Sequence, residues 1–131
     1  MAVVKLSKSS TKFLYKVMSE LDLSQNERPL ALKLAFAKGI AADELPIFSE
    51  EKAKETKDFE FNTLVIGRDL ERTLIKHLII NKIQKTIDHE NELDHYILTF
   101  IEHGLKIMVN EIESLTSMDN YLLHLFEKHS V

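Results

Sequence analysis

Apolar and polar positions alternate over the opening stretch VVKLS, residues 3–7, and alternation with β-branched side chains predicts a short strand. The Ser/Thr cluster that closes it can cap a following helix. From Ser10 the period lengthens. Phe13, Leu14, Val17, Met18 and Leu21 recur at helical spacing and form one apolar stripe. At about 100° per residue, Lys8, Lys12 and Lys16 gather on the opposite side. A second helix is predicted over 26–38, because Ser24 stands three residues before Glu27, Pro29 lies near the first turn, and Gly39 offers a stop. It is apolar through Leu30, Leu32, Leu34, Ala35 and Phe36, and Lys33 and Lys38 reach solvent.

Residues 41–58 contain Pro46 and the charged run SEEKAKETKD and read as a linker, either a loop or a short solvated helix. FEFNTLVIG then reads as extended and stops at Gly67. In the helix expected over about 68–87, Leu70, Leu74 and Leu78 share one side, while Ile75, Ile79, Ile83 and Ile87 continue around to another. The helix expected over about 91–115 has a seam of Leu93, Ile97, Ile101, Leu105, Met108 and Ile112, flanked by Tyr96, Phe100 and Ile107. Arcs this wide need burial on more than one side, in a central helical hairpin or in an oligomer interface, so self-association is expected. Ser117 or Asp119 offers a cap for a last helix carrying Leu122, Leu125 and Phe126. The fold class is therefore mainly α: one domain over residues 1–131, a short N-terminal strand followed by helices.

Composition supports this picture. Three glycines and two prolines leave few turns, and 131 residues suffice to bury roughly two-thirds of the unfolded surface. The absence of cysteine removes thiol catalysis, zinc–thiolate sites and iron–sulfur ligation. It suits a reducing compartment, and the cytoplasm is the expected location. Lys5 interrupts any secretory apolar region, and runs such as Leu78–Ile80 fall far short of the ~18 residues of a membrane span, so a soluble chain is expected. Charge is divided unevenly. Residues 1–40 carry seven Lys/Arg against three Asp/Glu, or +4, and the remainder carries −8 to give the net −4, an asymmetry that speaks of partners.

Candidate chemistry is sparse. Glu92 and His95 share a helix face, as in di-iron bundles, but no second Glu-x-x-His accompanies them. His95 and His103 lie two turns apart with nothing to complete a ligand set. No G-x-S-x-G occurs, and Gly39, Gly67 and Gly104 read as a helix stop, a turn and a site of close helix approach. Neither catalysis by this chain alone nor a cofactor is expected. What remains is a basic face of Lys5, Lys8, Lys12 and Lys16, joined by Arg28, Lys33 and Lys38. Lysines suit phosphate contact; the plainer reading is a solvated face opposite an apolar stripe. Scarce arginine argues against base readout, and Tyr15 is a lone stacking residue, so the contact expected is with duplex DNA, through shape and backbone.

Three blocks of the chain resemble one family, the DNA sulfur-modification protein DndE of the bacterial DNA phosphorothioation system. They are VKLSKSSTKFLYKVMSELDLSQNERPLALKLAFAKG, FNTLVIGRDLERTLIKHLI with Phe61, Asn62, Thr63, Leu64 and Gly67, and FIEHGLKIM with His103 and Gly104. The resemblance implies an N-terminal part similar to ribbon–helix–helix proteins, a homo-tetramer, and binding of nicked duplex DNA through surface lysines. It also implies partnership with the proteins that exchange a non-bridging phosphate oxygen for sulfur. The sequence departs from the family where Glu102 stands in place of an expected Asn-Arg-Gly triplet, and in the acidity after residue 40. DNA contact is then lost, weakened, or confined to the first forty residues, and the acidic part is left to face protein partners. The other functions open to such a chain are a protein–protein adaptor, a ribbon–helix–helix regulator on a palindromic operator, and a helical metalloenzyme built on Glu92 and His95.

Overall fold

The computed structural model describes residues 3–46 and 56–129, with side chains through Leu115. Most of the charged linker, residues 47–55, lies outside the described residues. The opening alternation becomes strand β1, Val3–Ser7, and its partner is strand β2, Lys57–Asn62, of the same chain. The two are antiparallel, with Val4 opposite Phe61 and Lys5 opposite Glu60, and the register is irregular between Lys5 and Ser7. Pleating turns Leu6 and Phe61 inward. The extended stretch foreseen up to Gly67 ends earlier. Asn62 Oδ1 accepts the Leu64 N–H at 2.9 Å and starts a 3-10 turn over Thr63–Val65.

Helix α1, Lys8–Glu20, begins two residues before Ser10 because Ser7 is its cap, with Oγ accepting the Ser10 N–H at 3.2 Å. Leu14, Val17 and Met18 are buried, Phe13 is half-buried, and Leu21, just past the helix end, is exposed. The Ser24–Glu27 capping box forms, with the Glu27 carboxylate accepting the Ser24 N–H and hydroxyl at 3.0 Å each. These two bonds hold the Glu27 carboxyl below the usual carboxylate range. The box caps a 3-10 turn, Gln25–Glu27, which feeds helix α2, Arg28–Ala41.

Gly39 does not stop this helix. It is buried within α2, where the helix crosses helix α4, Glu90–His129. A Cβ on Gly39 would sit 2.0 Å from Phe100 O, and one on Gly104 would sit 1.6 Å from Ala35 O, so the two backbones touch. Gly104 thus has the role its size suggested. Along α4, Leu93, Ile97, Phe100, Ile101 and Leu105 are buried against α1, α2 and the strand pair, and Phe36 meets Phe100 edge to face at 6.4 Å. The predicted break near Ser117 and Asp119 is absent: α4 is one helix of 40 residues that passes through both. The side chains of Leu122, Leu125 and Phe126 lie outside those described.

Helix α3, Leu70–Ile83, is shorter than its expected span and ends on Gln84 in the left-handed region, at φ 58°. Of its wide arc only Ile75 and Ile79 are buried. Leu70, Leu74 and Leu78 face solvent, so α3 is peripheral and no central hairpin forms from it. The architecture is mainly α, with α4 as spine and an N-terminal antiparallel strand pair. Among the described residues no helix is long and apolar enough to cross a membrane.

Candidate nucleic-acid interface

Helical phase puts Lys8, Lys12 and Lys16 on the exposed side of α1, one turn apart, away from the buried Leu14–Met18 stripe. The fold adds an exposed lysine that sequence spacing could not place there. Ser7 is opposite Lys57 in the strand pair and the Lys8 N–H donates to Thr56 O, so Lys57 emerges beside the start of α1. Lys5, also exposed, lies opposite Glu60.

Arg28 enters from the start of α2. Its guanidinium carbon stands 4.6 Å from the Phe59 ring centroid and 5.9 Å from that of the exposed Tyr15. The position over the Phe59 ring holds the guanidinium there by cation–π attraction. Arg28 Nε is buried without a hydrogen-bond partner, so the remaining nitrogens carry its polar function. Phe59 was unmarked in the sequence because its neighbour Arg28 is 31 positions earlier in the chain.

The other candidates part from this group. Lys16 Nζ is 3.1 Å from Glu113, and Lys38 Nζ is 2.8 Å from Glu111, both acids on α4. Lys33 lines a groove of about 440 Å³ with Leu30, Gly67, Arg68 and Glu71, facing α3. The basic face read from sequence is therefore divided: Lys8 and Lys12 with Lys57, Tyr15 and Arg28 around them, Lys16 and Lys38 held by carboxylates, and Lys33 elsewhere.

Glu102, placed where a basic triplet was expected, accepts the Ser7 N–H at 2.9 Å. Its negative charge lies at the positive end of the α1 dipole and occupies the place where that helix could receive an outside anion.

A second polar cluster escaped the sequence reading. Asp94 Oδ1 accepts from Thr63 Oγ1 at 2.6 Å and from Arg72 at 2.8 Å, and Arg72 also donates to Glu90. Burial alone would lower the Arg72 pKa, and the bonds to Asp94 and Glu90 outweigh it, so the guanidinium stays charged. Beside it, Arg68, Lys76 and His77 line a cleft of about 500 Å³ with Asp69 and Glu90, a lining of mixed charge.

Glu92 and His95 are exposed on α4. Among the described residues no group of three or more His, Cys, Asp or Glu is placed to hold a metal ion. Compared with known protein families, curated proteins and solved structures, the chain has no significant match.

Proposed function

We propose that this protein is a non-catalytic, DNA-binding accessory subunit of DNA phosphorothioation that contacts nicked duplex through the α1 face. The observation that carries this reading is the group of Lys8, Lys12 and Lys57, exposed and close to an arginine held on an aromatic ring. Lysines on one helix turn after another match phosphates along a backbone, and a guanidinium held over a ring adds a further positive charge beside them. The family resemblance supplies the sulfur-modification context and the partner proteins, and several copies would multiply a patch that is small in one.

The test is the salt dependence of binding to nicked and intact duplexes of the same sequence. Affinity should fall steeply with salt, and Lys12→Ala should shallow the log–log slope by roughly one unit per copy in contact. No binding at low salt overturns the proposal. The adaptor reading draws on a specific observation too: Lys16 and Lys38 are neutralised by Glu113 and Glu111. It gains if partner capture survives charge reversal of Lys8 and Lys12. A ribbon–helix–helix regulator is less well supported, because β1 already pairs with β2 of its own chain, whereas such regulators pair that strand with a second subunit's.

A further inference from the structure

Lys8, Lys12 and Tyr15 follow one another at spacings of four and three along α1, so at about 100° per residue they lie within roughly 60° on the helix surface. All three are exposed, Tyr15 by 47%. An aromatic ring thus sits within the basic stripe, and the fold gives it a support that sequence spacing does not show. Thr11 Oγ1 accepts the Phe59 N–H at 3.4 Å and ties β2 to α1, and the Phe59 ring stacks on buried Phe61 with centroids 6.1 Å apart and planes 13° apart. Arg28 stands over both Phe59 and Tyr15, at 4.6 and 5.9 Å from their centroids. The groups run outward from the core in the order Phe61, Phe59, Arg28, Tyr15, and about half of Tyr15 is left open. A single surface tyrosine is ordinary. This one has a cation behind it, and on its own helix face are two lysines with no acid in ion-pair reach among the described residues. Stacking surface and phosphate contacts are combined in this way where proteins hold unpaired nucleotides.

We infer that Tyr15 stacks on a nucleobase that has left the duplex, so that the α1 face prefers DNA in which an unpaired nucleotide adjoins a double helix. The inference rests on the DNA-binding reading above and names the feature that this surface selects. A base inside a duplex is covered above and below by its neighbours and offers the ring no face, whereas an extruded or unpaired base does. Lys12 lies one turn before Tyr15, about 4.5 Å along the axis, and meets the phosphate of the nucleotide whose base the ring holds; Lys8, a further turn back, meets the next. Every base has a π-face, so the contact selects an unpaired nucleotide without reading its identity. That suits a surface with little arginine for base edges.

The test uses two nicked duplexes of one sequence, without and with a short unpaired flap that carries 2-aminopurine. By fluorescence anisotropy, wild type should bind the flap duplex about fivefold to a hundredfold more tightly, the range that one base stacked on an aromatic ring supplies, and should quench the 2-aminopurine emission. Tyr15→Ala should lose both the preference and the quench while its salt slope on the flapless duplex stays the same, because no charge is removed. Tyr15→Trp should keep both. Lys12→Ala should weaken the two duplexes together, with a shallower slope, and keep the quench at saturation. Equal wild-type affinity for the two duplexes overturns the inference and leaves the DNA-binding reading standing, as does a Tyr15→Ala variant that retains preference and quench. A wild type that binds neither duplex at low salt overturns both. If Tyr15→Ala does not fold, Tyr15→Leu decides, since it keeps apolar cover over Arg28 and offers no ring.

Discussion

Asp94 is a carboxylate 4% exposed, and its place at the start of α4 is tenable because Thr63 and Arg72 both donate to it. Removing it takes the buried acceptor from the Thr63 hydroxyl and leaves Arg72 with Glu90 alone as its carboxylate partner, and a buried group that loses its charged or hydrogen-bonding partner costs on the order of 1–3 kcal/mol or more. Asp94→Ala should therefore lower the unfolding free energy by about 3 kcal/mol in urea titration. Asp94→Asn should lose less, since it keeps an acceptor for Thr63. The triad could not be read from sequence, because its members are 9 to 31 positions apart and nothing local marks Thr63 as their meeting point. The Ser24–Glu27 box was legible for the opposite reason: its bonds close over three residues.

Between elements, the crossing of α2 and α4 fixes the architecture, and it rests on residues that have no side chain to lose. Gly104→Ala would drive a methyl into the Ala35 carbonyl, backbone that cannot rotate away. The helices must part, which opens gaps along Leu32, Phe36 and Phe100, and overpacking of this kind costs roughly 3 kcal/mol or more. Thermal unfolding should show that loss, and Asn110→Ala on the exposed side of the same helix should show almost none. The periodicity located α1, α2 and most of α4 because each buries one stripe. It failed at Gly39, where a glycine signals either a stop or a close crossing, and only the partner helix decides which. It failed again at Ser117 and Asp119, since cap-forming residues inside a long helix cost only a few tenths of a kcal/mol each and do not end it. On α3 the arc was read as needing burial on more than one side, yet within the chain only Ile75 and Ile79 are buried and Leu70, Leu74 and Leu78 face solvent, because burial depends on which neighbours the fold provides and periodicity does not show them.

Across the whole molecule, the division into a basic start and an acidic remainder was visible in the sequence. The fold brings part of the one against the other: Glu113 and Glu111 reach back 97 and 73 positions to Lys16 and Lys38. Both pairs are about half exposed, so each contributes less than about 1 kcal/mol to stability. Their effect on a polyanion is larger, because each carboxylate repels phosphate and also holds a cation that could otherwise meet it. The double substitution Glu111→Gln, Glu113→Gln should leave the unfolding midpoint nearly unchanged. It should tighten duplex binding on the order of threefold to tenfold at moderate salt and steepen the salt dependence by about one to two units as Lys16 and Lys38 join the contact. Fluorescence anisotropy with a nicked duplex across a salt series measures both. An unchanged affinity would place the contacting surface away from these lysines and confine it to the start of α1, where Lys8, Lys12 and Lys57 have no acid in hydrogen-bond reach among the described residues.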